Sequence, residues 1–164
     1  MEISNKNSYK IYLDVCCLNR LYDDQTQLRI RLESEAISEI IVNCQLGKWE
    51  LIISTIIESE ISQTPLQTRK EKVRESLSIG KTKIFLTQSI LTRAKELTTF
   101  SFKKYDALHV ASAEGNADIF LTTDDRLLRK SITYKKQLNI IVANPITWLL
   151  EINKIKGEQE NDTN

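Results

Sequence analysis

Residues 49–61 read Trp49-Glu50-Leu51-Ile52-Ile53-Ser54-Thr55-Ile56-Ile57-Glu58-Ser59-Glu60-Ile61. Trp49–Ser54 is a short apolar run rich in β-branched residues, suited to a buried strand, and Thr55–Gln63 continues with helical spacing. Working outward, the same alternation recurs. Strands are expected at Lys10–Val15, Lys83–Thr87, Asp118–Thr122 and Asn139–Ala143. Helices are expected at Leu28–Leu46, Leu66–Ile79, Ser89–Phe100, Lys103–Glu114, Asp125–Lys130 and Ile146–Ile155. In the longest, Leu28, Leu32, Ala36, Ile37, Ile40, Ile41 and Cys44 form one apolar stripe that would cover a sheet face. Gly80 and Gly115 stand just past helix ends, and Asn144-Pro145 reads as a cap and first turn. Crossovers too long for hairpins predict a mainly parallel, about five-stranded sheet with helices on both faces, an α/β fold.

The chain has 164 residues, enough for one sizeable core and too few for two ordinary domains. A single domain over residues 1–156 is expected, followed by a disordered tail over 157–164. Charges nearly cancel, to +1, so the chain lacks the basic coat of a dedicated nucleic-acid binder and any phosphate contact must be local. Polar residues at the start and the lack of an apolar run of membrane-spanning length predict a cytoplasmic protein with no membrane partner. Cys16, Cys17 and Cys44 sit in apolar segments and read as free thiols. One histidine and no Cys-x-x-Cys spacing leave a structural zinc site without ligands.

In parallel α/β sheets, ligands bind beyond the carboxyl ends of the strands. Asp14 follows the first strand and Asp124 the fourth; each is either a turn or capping residue or part of a site. Glu60 falls between Ile56 and Ile57 on the helical wheel, with Ile61 on the same arc, so it points partly inward. A carboxylate there is costly to desolvate unless a cation or donors meet it, which favours a metal role. Glu58, three residues after Thr55, has the spacing of a capping box, and helix initiation explains it. Asp106 opens a helix apolar on nearly every side, as a site acid or an N-cap. Asp125 is placed to cap Arg126–Lys130, and Asp118 stands at the opposite end of its strand. His109 has no serine or cysteine partner in view and reads as a satisfied wall histidine; Trp49 and Trp148 read as core anchors. Arg20, Lys103, Lys104, Arg126 and Arg129 flank the acids, as solvated charges or phosphate contacts. Thr123, Asp125, Arg20 and Arg126 are the candidates for supporting or substrate-contacting roles.

Acids from several segments can hold Mg²⁺ or Mn²⁺ against a phosphate, where the ion relieves their mutual repulsion and activates water for in-line attack. In order along the chain, Ile11-Tyr12-Leu13-Asp14, Ser54-Thr55-Ile56-Ile57-Glu58-Ser59-Glu60-Ile61, Tyr105-Asp106-Ala107-Leu108-His109-Val110-Ala111-Ser112-Ala113 and Leu121-Thr122-Thr123-Asp124-Asp125 resemble PIN-domain proteins, including the VapC-type toxins of bacterial toxin–antitoxin pairs. The resemblance covers about residues 9–150. It implies a three-layer α/β/α fold, Mg²⁺ or Mn²⁺ dependence, and endonucleolytic RNA cleavage by Asp14, Glu60, Asp106 and Asp124. It also implies an antitoxin partner and a homodimer. The first motif departs from the family pattern, in which a small hydroxylated residue follows the aspartate: here Val15, Cys16 and Cys17 follow. The motif therefore does not identify the group that supports Asp14, and Asn19–Gln25 has no role legible in the sequence.

Competing enzyme classes fit less well. A haloacid-dehalogenase-like phosphatase carries a second aspartate where this chain has Cys16, and a receiver domain needs its phosphoacceptor near Thr87. A nucleotide-binding dehydrogenase needs a glycine-rich turn after the first strand. The remaining alternative is a non-catalytic PIN-like module that binds RNA or protein.

Overall fold

The structure is a computed structural model that describes residues 3, 4 and 6–162, with side chains described as far as 158. Five parallel strands, β1 (Lys10–Leu13), β2 (Glu50–Ser54), β3 (Thr82–Ile84), β4 (Ile119–Leu121) and β5 (Ile141–Ala143), form one sheet in the order β3-β2-β1-β4-β5. Helices α1 (Val15–Arg20), α2 (Leu28–Gln45), α3 (Thr55–Ser62), α4 (Gln67–Leu77), α5 (Gln88–Thr99), α6 (Lys104–Ala113), α7 (Asp125–Thr133) and α8 (Pro145–Asp162) connect and cover the strands. This is the expected three-layer α/β/α architecture. Among the described residues no helix is long and apolar enough to cross a membrane.

Central β1 pairs on both sides, and its last three residues are buried, which is why it reads as a continuous apolar run. Alternation along the strands separates two faces. Tyr12, with its register partners Ile52 and Phe120, and Ser54 two residues on, face α6. On the other side Tyr9, Trp49 and Trp148 stack edge to face at centroid distances of 5.1–6.2 Å, confirming both tryptophans as anchors. Asn144 Oδ1 accepts from Ile146 N–H at 2.9 Å, so α8 opens as its Asn-Pro start predicts.

Three local expectations are corrected. The α2 stripe does not begin at Leu28: Leu28 and Leu32 are exposed, and Glu33 and Ser34 face inward beside Ala36, Ile37 and Ile40. Polar partners explain the rotation. Glu33 Oε1 accepts from Arg29 Nε and Asn144 Nδ2, Arg20 Nε lies 2.7 Å from Glu33 Oε2, and Ser34 donates to the Arg20 carbonyl. Second, α8 continues through Gly157 to Asp162 rather than ending at Ile155, because Lys, Glu and Gln are strong helix formers and Gly157 has open space around it. Residues 163 and 164 of the expected tail lie outside the described residues. Third, α1 was not expected, since it follows β1 directly and is too short to show a helical period. The Asn19–Gln25 segment, which begins in its last turn, pins α1 to α4: Arg69 donates to Asp23 Oδ1 and to the Tyr22 carbonyl, both at 2.7 Å.

Candidate metal centre

Asp14 directly follows β1, and its amide still reaches the Leu121 carbonyl across the sheet at 2.9 Å. It is the N-cap of α1 by backbone geometry, yet its side chain makes no capping bond. The buried carboxylate instead accepts on Oδ2 from Thr122 Oγ at 2.7 Å and from Cys16 Sγ at 3.2 Å. The support that the first motif failed to identify therefore comes from across the sheet. Thr122 Oγ also accepts from the Asp124 amide at 3.1 Å, so one buried hydroxyl orders both segments. Sequence reasoning passed over Thr122; the only signal for it was a polar residue at a strand's carboxyl end. Thr123, the candidate named from sequence, is buried and donates its backbone N–H to Cys16 Sγ at 3.3 Å.

Asp124, not Asp125, is the N-cap of α7: its Oδ1 accepts from the amides of Arg126 and Leu127, and Oδ2 makes no hydrogen bond among the described residues. Asp125 instead holds Arg29 bidentately at 2.7 and 2.8 Å on the exposed surface. Arg20 lies against Glu33 and Asp23, and the exposed Arg126 contacts Asp124 only through its amide. Glu58 forms no capping box, because the cap is Ser54, whose Oγ accepts from Ile57 N–H; Glu58 pairs with Lys83 at 2.6 Å.

Glu60 lies on the same turn of α3 and faces the opposite way. Its Oε2 meets His109 Nε2 at 2.6 Å, and His109 Nδ1 meets Tyr12 Oη at 2.8 Å. Asp14, Glu60 and His109 each bring a potential ligand atom within 4.8 Å of the others. Asp106 stands in the first turn of α6, which starts at Lys104, so it is not the N-cap. Burial, then the charges of Asp14 and Asp124, push its carboxyl up to about 6. Elsewhere Glu33 pairs with Arg20 and Arg29, Glu114 with Arg93, and Asp23 with Arg20 and Arg69. Among the described residues Asp14, Asp106 and Asp124 have no lysine or arginine within ion-pair distance. An oxygen-rich set of unpaired carboxylates at the carboxyl edge of a parallel sheet suits a hard divalent cation.

The sequence matches the model of the PIN domain over residues 11–132. The chain belongs to the PIN-domain family. This PIN domain matches no curated protein by sequence. Its fold resembles two solved structures. One is VapBC2 from Rickettsia felis bound to a DNA fragment from their promoter, at 17% identity and TM-score 0.56, covering 82% of this chain and 98% of that one. The other is FitAcB from Neisseria gonorrhoeae, at 14% identity and TM-score 0.53, covering 82% and 97%. At these identities the likeness concerns the fold.

Proposed function

We propose that this PIN domain is a Mg²⁺- or Mn²⁺-dependent endoribonuclease that hydrolyses RNA phosphodiester bonds, with Asp14, Glu60, Asp106 and Asp124 holding the ion. The observation that carries the reading is that Asp14 and Glu60 converge with His109 within 4.8 Å, that the charges of Asp14 and Asp124 raise the Asp106 carboxyl, and that among the described residues no lysine or arginine pairs with Asp14, Asp106 or Asp124. The mutual repulsion of these acids is what a divalent cation would relieve. When bound, the ion supplies a water acidic enough to attack at neutral pH and positive charge for the phosphoryl oxygens.

The chain's own groups prepare that chemistry. Thr122 orients the Asp14 carboxylate, and the α7 amides hold one oxygen of Asp124, leaving the other without a hydrogen bond among the described residues. Asp106, with its carboxyl raised to about 6, holds a proton to higher pH than an ordinary aspartate, and a bound cation would favour its ionised form. Lys103 and Arg126, exposed beside the acids, are the candidates for contacts to RNA phosphates.

The resemblance to VapC-type toxins makes a small antitoxin the expected protein partner. A short upstream reading frame encoding a DNA-binding protein with a disordered tail would support that assignment. The catalytic reading is tested on single-stranded RNA. Cleavage should require Mg²⁺ or Mn²⁺, stop in EDTA and be lost in Asp14→Asn. Cutting that persists in EDTA or in the variant overturns it, and RNA binding without cutting under all conditions favours the non-catalytic module.

A further inference from the structure

We propose that His109 is the positioning residue for Glu60: its imidazole, fixed by Tyr12, donates from Nε2 to one carboxylate oxygen and leaves the other for an ion. The inference rests on the metal-dependent reading above. Four groups form one chain, Ser54 Oγ to Tyr12 Oη at 2.7 Å, Tyr12 Oη to His109 Nδ1 at 2.8 Å, and His109 Nε2 to Glu60 Oε2 at 2.6 Å. Hydrogen-bond logic leaves one arrangement in which every member is satisfied. An ionised carboxylate only accepts, so Nε2 carries the hydrogen; a neutral ring then accepts on Nδ1, so Tyr12 donates. Tyr12 Oη accepts from Ser54, whose own oxygen accepts the Ile57 amide. The opposite polarity would leave the Ser54 hydroxyl hydrogen without an acceptor among the described residues.

Such a chain is not needed to fill the core. Tyr12 and Ser54 are fully buried and His109 is 2% exposed, and well-packed apolar side chains serve a core at least as well as a buried polar network. What the chain adds is registry. Tyr12 lies two residues before Asp14 on β1 and Ser54 ends β2, so the relay ties the partly exposed Glu60 to the strand that leads into Asp14. With Nδ1 occupied by Tyr12 and Nε2 protonated, the ring is a donor to a ligand rather than a ligand itself.

Because the chain contains one histidine, ¹⁵N-histidine labelling yields the two ring-nitrogen signals of a single imidazole, Nδ1 and Nε2. The hydrogen should sit on Nε2 in EDTA and remain there at saturating Mg²⁺. Mn²⁺ affinity, measured by calorimetry, should fall about 10-fold or more in His109→Phe, the usual range for groups that orient ligands, and by about 10-fold in Tyr12→Phe, at the low end of that range. His109→Gln, which can donate to Glu60 and accept from Tyr12, should stay within about 3-fold of wild type, well under that range. Melts in EDTA show whether each variant folds; should His109→Phe not fold, Tyr12→Phe decides. Loss of the Nε2 hydrogen on adding Mg²⁺ makes His109 a ligand and overturns the proposal. Folded variants that bind Mn²⁺ as tightly as wild type overturn it while the metal-dependent reading stands. A wild type that binds no Mn²⁺ removes that reading, and the positioning role with it.

Discussion

Asp106→Asn should make the metal-free protein more stable at neutral pH. The Asp106 carboxyl is raised from 3.8 to about 6, first by burial and then by the charges of Asp14 and Asp124. A raised folded-state value means that the fold binds the proton more tightly than the unfolded chain does. Its contribution to stability is therefore complete below about pH 4 and is lost as pH rises through about 6. At about 1.4 kcal/mol per pH unit the difference sets a ceiling of about 3 kcal/mol. Asp106 is half-buried, and solvent screening reduces this to about 1–2 kcal/mol. Asparagine keeps the size and never ionises. The variant should match wild type near pH 4 and exceed it at pH 7.5, by about 3–6 °C in Tm for a domain of this size. Urea and thermal melts in EDTA across pH 4–8 measure the difference, in which ionisations common to both proteins largely cancel. Mn²⁺ at pH 7.5 should reverse the order, since the ion turns repulsion among the acids into attraction to itself. A variant no more stable than wild type at pH 7.5, or a gap that does not grow between pH 4 and 7, refutes the assignment of strain to this carboxyl.

Glu60→Gln should lose Mn²⁺ affinity and RNA cleavage together while its melting point in EDTA stays near wild type, because glutamine still accepts from His109. Glu58→Gln should leave cleavage within a few-fold, since it breaks only an exposed pair with Lys83 worth less than about 1 kcal/mol; the reverse outcome would move the site half a turn along α3. Thr122→Val keeps the shape but leaves Asp14 Oδ2 without that donor and the Asp124 amide without an acceptor. It should cost about 1–3 kcal/mol in EDTA melts and weaken Mn²⁺ about 10-fold by calorimetry.

The elements were legible because burial on both faces writes strands as unbroken apolar runs, and helices carry their own period. The inward lean of Glu60 was legible for the same reason, since neighbours on a helical wheel are set by rotation along a single segment. Boundaries were harder where two signals merged. The apolar run of β1 flows into α1, and adjacent aspartates at 124 and 125 offered the α7 cap to either residue. Periodicity also failed at the start of α2, where polar partners from α1 and Asn144 outweighed the apolar stripe.

Local order along the chain thus determined the kinds of element, the parallel sheet and the acids standing at strand ends. Hydrogen-bond partners were decided by the tertiary structure alone. Thr122 reaches Asp14 across 108 positions of sequence, and Tyr12 reaches His109 across 97. No pattern within one segment encodes which buried hydroxyl will meet which carboxylate. That depends on strand order, register and the helix laid over them, because a hydrogen bond forms only within about 3 Å of a correctly directed partner.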